Sequence, residues 1–216
     1  MKQLLKKEFT FNALPICYWF LAFSLMTWIP GYPIAMGSFF LCLGLFQSMM
    51  SCREQNDLSY TLLLPVSKGQ VVKANYLFSM ALQLAYMLLC ALFTVLRTVL
   101  LPNAAVYTQN AMMNANPVYL GNLLLVFLCF NLLVLGHYWK TGYDLGRPFV
   151  FFSIAAFLVV ALGETLHHLP GLEILNATDR GLGIQLLVLA VCGTVYGLGS
   201  FAAMGKAERQ FETVDL

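Results

Sequence analysis

The sequence predicts an all-α, polytopic membrane protein with six transmembrane helices, folded as a single transmembrane domain over residues 1–216. Of the 216 residues, 60% are hydrophobic and only 10% are charged, and the mean hydropathy is +0.75. A water-soluble domain carries about 25% charged residues, so this chain cannot cover its own surface in water. A helix that crosses a bilayer needs about 20 mostly apolar residues. Six blocks of that kind can be counted along the chain.

The first twelve residues form an amphipathic segment before the first block. Apolar residues occur at Met1, Leu4, Leu5 and Phe9, which is a helical spacing, and lysines occupy much of the remainder. Two interpretations are open. The segment lies as a helix in the headgroup plane with its lysines near anionic lipid, or it is a short cytosolic tail whose lysines only set the orientation of the protein.

The six blocks are separated by polar or turn-forming segments. The third block is longer than a perpendicular crossing requires, which predicts a tilted or projecting helix. The predicted spans are 13–29, 34–50, 74–101, 118–135, 149–163 and 182–204, with a cytosolic loop at 51–73 and an external segment at 164–181.

The distribution of basic residues predicts the orientation. Cytoplasmic loops carry an excess of Lys and Arg. One set of loops and tails holds 10 of the 12 basic residues, and the opposite set holds only Arg97 and Arg180. The sequence therefore predicts a multi-pass plasma-membrane protein whose two termini and 51–73 loop are cytoplasmic. The residues on that side are Lys2, Lys6, Lys7, Arg53, Lys68, Lys73, Lys140, Arg147, Lys206 and Arg209.

The sequence contains no set of residues typical of an enzyme. The sequence lacks four common motifs, namely a C-x-x-C pair, a Walker A sequence, a G-x-S-x-G elbow and an H-E-x-x-H motif. Residues 164–168 contain an E-x-x-H step, Glu164 to His167, but di-iron bundles need that step twice and two further glutamates. We therefore predict no catalytic, metal or cofactor site in this chain. The net charge of +2 gives no support for nucleic-acid binding.

The polar residues inside the predicted spans are amides, and no full charge occupies the middle of a span. Ion-coupled carriers usually place ionisable groups there, so this pattern disfavours secondary transport. We interpret the amides as interhelical hydrogen-bonding groups, the alternative being the lining of a substrate path. They are Gln47, Gln83, Asn122, Asn131 and Gln185.

Gly193 and Gly197 form a G-x-x-x-G step in the sixth span. Small residues at this spacing let helices approach closely. The step predicts helix packing, either between spans of one chain or between two subunits.

The segment 51–77 has the densest local pattern in the chain. Asn56 and Asp57 favour the start of a short helix, because their side chains can cap its exposed N–H groups. Pro65 ends that helix, and Ser67 is placed to cap a second helix that leads into the third span. Apolar residues within the segment, Leu63 among them, then form a helical knob that docks a soluble partner. The alternative is that these residues dip into the membrane interface.

The same segment resembles the loop after the second span in ABC-2 type transporter permeases of the small bacterial six-span group with a separate ATPase subunit. The resemblance rests on Asn56-Asp57-x-x-Tyr60-x-x-x-Leu64-Pro65-Val66-Ser67-Lys68, followed by Val71-Val72-Lys73-Ala74. Span count and loop position also agree. One departure is Asn75, where the family pattern has a basic residue before the aromatic Tyr76.

The resemblance implies that this loop is a coupling helix seated in a groove of a cytosolic ABC ATPase, which binds the ATP and Mg²⁺. Two permease chains, identical or sister chains, and two ATPase chains would form the transporter. Such permeases mostly export hydrophobic or amphipathic molecules, including peptides, and the substrate-binding residues here are unknown. The segment 164–181 resembles their short external helix. The residues implied to transmit ATP-driven motion are Asp57, Tyr60, Leu64, Pro65, Val66, Ser67 and Lys68.

Two other functions remain as alternatives. A substrate-capture subunit of a vitamin uptake transporter is also small and six-spanning, but it docks through small-residue helix faces rather than a charged knob. An integral membrane enzyme would need catalytic residues that the sequence does not show.

Overall fold

The computed structural model describes residues 1–29, 31–101, 105–108, 113–166, 168–177 and 181–214. Within these ranges all regular structure is helical, which confirms the predicted all-α class. Two short helical turns, Ala105–Thr108 and Glu173–Leu175, lie in connecting segments. The main helices are α1 (Lys2–Asn12), α2 (Pro15–Trp28), α3 (Met36–Glu54), α4 (Asp57–Leu62), α5 (Lys68–Leu100), α6 (Pro117–Thr141), α7 (Gly146–Leu166) and α8 (Leu182–Glu212).

Three of these helices change type along their length. The last part of α1, Glu8–Asn12, is a π-helical turn, and most of α2, Phe20–Trp28, is a 3₁₀ helix. In α6 the turn Asn131–Leu135 is also π-helical. Such turns are uncommon inside helices and often occur at functional positions.

Among the described residues, four helices are long and apolar enough to cross a membrane, namely α5, α6, α7 and α8. Helices α1 and α2 meet at a bend of 89°, and together they form a fifth candidate. The polytopic membrane class is therefore confirmed, whereas the count of six spans stays a prediction because α2 and α3 do not each qualify alone.

The helices extend beyond the spans predicted from hydrophobicity. Helix α3 continues to Glu54, α5 begins at Lys68, and α8 continues to Glu212. Polar residues can continue a helix once it leaves the lipid, because helical hydrogen bonds do not depend on side-chain polarity. A helix of 33 residues such as α5 is about 50 Å long, well beyond an apolar core of about 30 Å.

Helix α6 occupies the centre of the bundle. Of its most apolar stretch 67% is buried inside the protein, against 11% for α7 and 17% for α8. Helices α8, α7 and α5 pack around it, and α2 packs between α3 and α5. The outer faces of α7 and α8 are therefore apolar surfaces that lie against lipid or another chain.

The two ends of the bundle are identified by contacts between distant segments. At the end that carries α4, Lys68 Nζ donates to the carbonyl of Val214 at 2.6 Å, and Lys73 pairs with Glu208 at 3.2 Å. We call this the basic end. At the opposite end, Arg97 Nη1 donates to the carbonyl of Thr27 at 2.7 Å.

Candidate functional site

The segment between α3 and α5 exposes a group of apolar side chains at the basic end. Tyr60 is 68% exposed, Leu63 82% and Leu64 53%. The following Pro65 is exposed as well. We call Tyr60, Leu63 and Leu64 the apolar knob. Exposed apolar residues surrounded by polar ones are typical of surfaces that bind another protein.

The start of α4 differs from the sequence prediction. The helix begins at Asp57 as expected, but no side-chain capping hydrogen bond is made at Asn56. Asn56 instead has a φ angle of 54°, in the left-handed region that Asn tolerates better than most residues. Its side chain therefore does not cap the helix, and its backbone forms the turn after α3. The Asp57 side chain is directed to partners outside α4.

Asp57 binds residues of α1. Its Oδ2 accepts hydrogen bonds from Lys7 Nζ at 2.7 Å and from Asn12 Nδ2 at 3.0 Å. Lys7 also donates to the hydroxyl of Thr61 one turn further along α4. The side chains of Lys7 and Asp57 are only 21% and 24% exposed, so water and salt screen this ion pair less than a surface pair. Helix α4 is thereby attached to α1.

The same polar group continues to Glu8, which is 4% exposed. Its two oxygens accept from Asn12 Nδ2 at 3.0 Å and from Asn75 Nδ2 of α5 at 3.3 Å. Burial raises the pKa of the Glu8 carboxyl above its ordinary value, and the hydrogen bond from Asn75 and the charge of Lys7 oppose this only in part. We call Lys7, Glu8, Asn12, Asp57 and Asn75 the polar clasp. It joins α1, α4 and α5.

Asn75 was the position at which the chain departs from the family pattern. In the structure its amide serves as a neutral donor to the buried Glu8. A basic residue there would instead place a full charge beside this carboxyl. The Oδ1 of the same amide is buried and has no hydrogen-bond partner among the described residues.

The start of α5 was predicted correctly. The Ser67 hydroxyl accepts from the backbone N–H of Gln70 at 3.3 Å, and the Gln70 side chain accepts from the backbone N–H of Ser67 at 3.4 Å. This reciprocal arrangement is a capping box, which satisfies two N–H groups at a helix start. Lys68 extends to the carbonyl of Val214 and lies 5.8 Å from the ring centre of Phe211.

The residues predicted to form the coupling loop thus have two kinds of surroundings. Tyr60, Leu64 and Pro65 face outward, where a partner can reach them. The others contribute to the fold: Val66 is partly buried against the core, Asp57 belongs to the polar clasp, and Ser67 and Lys68 fix the start of α5.

Leu63, which the sequence placed in the knob, is its most exposed member but does not belong to the family string. Sequence reasoning did not find three other residues that contribute here. Glu8 and Asn12 were not recognised as partners of the loop, and Lys7 was interpreted only as a lipid contact or an orientation signal. The sequence signal that could have found this contact was Glu8, an acidic residue in an otherwise basic and apolar segment. A helix that only lies on lipid does not need such a residue.

In the middle of the bundle, amides join three helices. Gln83 of α5 and Asn131 of α6 exchange two hydrogen bonds of 2.9 and 3.0 Å. Asn131 also donates to Ser200 Oγ of α8 at 2.9 Å, and Tyr196 donates to Gln83 at 2.9 Å. Tyr76 further donates to the carbonyl of Asn131, where the π-helical turn begins. These bonds confirm that Gln83 and Asn131 act as interhelical hydrogen-bonding groups.

The opposite end is closed by hydrogen bonds to the external segment. Gln185 donates to the carbonyls of Ile174 and Ala177, and Asn114 donates to Asn176. Beyond the end of α7 at Leu166, the described part of this segment, residues 168–177 and 181, contains one three-residue 3₁₀ turn. The external α-helix expected from the resemblance is therefore not found in that part of it.

The structure describes only some of the other features that the sequence predicted at this end. Arg97 is 3% exposed and donates to two backbone carbonyls, with its guanidinium 4.5 Å from the ring centre of Tyr107. Arg180 and the His167 of the E-x-x-H step lie outside the described residues. Among the residues that are described, no group of three metal-binding side chains occurs.

The G-x-x-x-G step has little contact within the chain. A Cβ at Gly193 would lie 3.9 Å from Leu124, and a Cβ at Gly197 would meet nothing within 4 Å. Close approach inside the chain occurs instead at Gly121 against Cys192 and at Gly199 against Leu128. Contact of Gly193 and Gly197 with a second subunit stays a prediction.

Comparison with known proteins identifies the family of the chain. No curated protein matches the chain, and no solved structure does. A family model described as ABC-2 family transporter protein matches residues 3–205, which includes the polar clasp, the apolar knob, the helices α5, α6 and α7, and most of α8. The chain therefore belongs to the ABC-2 family of transporter proteins.

Proposed function

We propose that this ABC-2 membrane protein is the permease subunit of an exporter for a hydrophobic or amphipathic molecule, such as a peptide, a lipid-like compound or a drug. A separate cytosolic ABC ATPase supplies the energy and holds the ATP and Mg²⁺. The observation that supports this most directly is the apolar knob, because Tyr60, Leu63 and Leu64 are exposed on a polar segment that is fixed to the spans on both sides.

The attachments of the knob provide two routes by which movement reaches the spans. On one side, Asp57 links α4 to α1 through Lys7 and Asn12. On the other, the turn after Leu64 leads through the Ser67 capping box into α5, one continuous helix from Lys68 to Leu100. A force applied at the knob is therefore carried along α5 to the opposite end of the bundle.

The proposal includes a second permease chain, with a substrate path between the two copies. Helices α7 and α8 support it, because much of their surface is apolar and not covered within one chain. The basic end faces the cytoplasm in this arrangement, as the positive-inside rule predicts. We expect a bacterial plasma membrane as the location, from the resemblance of the loop to the small bacterial group.

The first test is co-purification of the full chain with a co-expressed candidate cytosolic ABC ATPase in mild detergent. The variant Tyr60→Ser plus Leu64→Ser removes apolar surface from the knob without touching the polar clasp. Tyr143→Ser is the matched control, because Tyr143 is 66% exposed and Arg53 Nη1 binds its carbonyl, which places it beside the end of α3. We expect the knob variant to lose the ATPase and the control to retain it.

Asp57→Asn separates docking from transmission. It leaves the exposed side chains in place but removes the charge that binds Lys7. We expect this variant to retain the ATPase while substrate-stimulated ATP hydrolysis in liposomes falls. If the knob variant is folded and still retains the ATPase, docking lies elsewhere. If the wild-type chain binds no ABC ATPase, the exporter proposal loses its support.

A further inference from the structure

A groove between α6 and α8 near the basic end belongs neither to the apolar knob nor to the polar clasp. It encloses about 250 Å³. Its apolar part is formed by Leu132 and Leu133 of α6 and by Ala203 and Ala207 of α8. The two alanines are too small to fill the space between the helices. Leu132 is 47% exposed, so this part of the groove opens toward the lipid.

The other part of the groove is polar and basic. His137 and Lys140 extend from α6, and Lys206 and Gln210 extend from α8. We call the whole feature the basic groove. His137 Nε2 lies 3.4 Å from the carboxylate of Asp144. Within the described part of the chain, neither Lys140 nor Lys206 has a carboxylate within ion-pair distance.

The basic groove lies at the depth of lipid headgroups. The apolar part of α8 ends at Met204, and Lys206 follows two residues later. On α6, Lys140 follows the aromatic pair Tyr138 and Trp139, and aromatic residues are enriched where a span meets the headgroup layer. Lys73 and Glu208 place this part of α8 at the basic end. Anionic lipids are concentrated in the cytoplasmic leaflet, which this end is predicted to face.

We infer that the basic groove binds an anionic phospholipid, with the phosphate held between Lys140 and Lys206 and an acyl chain lying along Leu132. The two lysines leave an uncompensated positive charge at the mouth of a cavity whose other half is apolar. A ligand that satisfies both halves is an amphiphile with a negative headgroup. The cavity is far too small for a whole phospholipid, so the chains extend from it over the exposed surface of α6.

A soluble phosphate matches only half of this site. It would pair with the lysines but would leave the leucines and alanines of the groove uncovered. The opening beside Leu132 toward the lipid therefore favours a membrane lipid over a free anion. The inference does not depend on what the protein transports, because its test measures binding to the chain alone.

The test is a lipid titration of the full-length purified chain, read out by native mass spectrometry in mild detergent. The probes are phosphatidylglycerol and phosphatidylcholine with the same acyl chains. The groove variant is Lys140→Gln plus Lys206→Gln. The control variant, Arg147→Gln plus Arg209→Gln, removes the same charge from two exposed residues that do not line the groove.

We expect wild type to bind phosphatidylglycerol more tightly than phosphatidylcholine, and the groove variant to raise the phosphatidylglycerol Kd about thirtyfold, from the usual contribution of two basic residues at a membrane surface. The control variant should stay near wild type. Equal binding of both lipids by the wild-type chain, or an equal loss in both variants, would overturn the inference.

Two further measurements are needed. One distinguishes loss of the site from loss of folding, and the other distinguishes a lipid ligand from a soluble anion. Gln210→Glu inserts a carboxylate of nearly the same shape into the groove, and we expect it to weaken phosphatidylglycerol binding without changing the melting temperature. Glycerol phosphate is the soluble competitor. If it binds as tightly as phosphatidylglycerol, the ligand is a free phosphate compound and the lipid assignment is wrong.

Discussion

The carboxylate of Asp57 accepts a 2.7 Å hydrogen bond from the ammonium of Lys7, a residue 50 positions earlier in the chain. This contact connects the loop helix α4 to α1. Both side chains are less than one quarter exposed, and Asn12 donates a further hydrogen bond to the Asp57 carboxylate. Helix α1 is therefore part of the structure that holds the loop, in addition to any contact that its lysines make with lipid.

The Lys7–Asp57 pair should contribute measurably to stability. We expect a double-mutant cycle with Lys7→Met and Asp57→Asn to give a coupling energy of about 1 kcal/mol, at or above the upper end for exposed pairs, because screening is weak here. Unfolding of the detergent-solubilised protein gives the measurement. Lys2→Met is the control, since Lys2 is exposed and has no acidic partner among the described residues. Additive effects of the two substitutions would contradict the prediction.

The buried Glu8 should make stability depend on pH. Burial raises the pKa of its carboxyl above the ordinary 4.5, so the folded state favours the protonated form. The associated stabilisation is complete below the ordinary pKa and is lost as the pH rises through the folded pKa. Glu8→Gln mimics the protonated carboxyl and should lose less stability than wild type between pH 4 and pH 8.

Melting temperatures across this range measure the Glu8 effect. Glu212→Gln is the matched control, because Glu212 is exposed at the end of α8. It should follow the wild-type curve. If Glu8→Gln follows that curve too, the pKa of the Glu8 carboxyl is not raised in the folded protein.

The capping box at the start of α5 gives a local prediction. Ser67→Ala removes the acceptor for the Gln70 N–H and should cost about 1 kcal/mol of unfolding free energy. Ser67→Asp restores an acceptor at the helix start, where a negative charge is also favourable, and should keep the wild-type stability. Chemical denaturation of the three proteins distinguishes them. Equal stability of the alanine and wild-type proteins would show that the box contributes nothing.

The sequence determines the class of the fold and some local features well. Hydrophobic blocks predict the membrane helices, and Ser67 is a local signal that indicates where α5 begins. The sequence does not show which way Asp57 points, because that depends on the left-handed turn at Asn56 and on a partner in α1. Hydrophobicity also sets the end of a span in lipid rather than the end of a helix, so the last turns of α8 were missed.

Among the polar residues in the spans, the amide pair in the centre of the bundle should lower the stability of the protein most when it is substituted. Asn131→Leu removes the bonds to Gln83 and Ser200 and leaves buried polar groups without a partner, at an expected cost of about 1–2 kcal/mol. Adding Gln83→Leu should cost less than the sum of both single substitutions, because the unpaired amide is then removed too.

Gln47→Leu is the control for this pair. Gln47 lies in α3 and makes no hydrogen bond to the described residues. Its substitution should leave stability unchanged or raise it. Thermal unfolding in one detergent compares the wild type, the two single variants, the double variant and the control. If Asn131→Leu is as stable as wild type, the amides have no role in holding α5, α6 and α8 together.

The glycine step on α8 tests whether a second chain packs there. Gly197→Leu meets open space within the chain, so the melting temperature of the single chain should stay within the error of the measurement or rise slightly. Gly37→Leu is the contrasting variant, since any side chain there would collide with the buried Tyr86, and it should be strongly destabilised. If α8 packs against a second copy through this face, Gly197→Leu alone should abolish chemical cross-linking between chains in liposomes while leaving each chain folded. Cross-linking that persists unchanged would place the contact between subunits on another helix face.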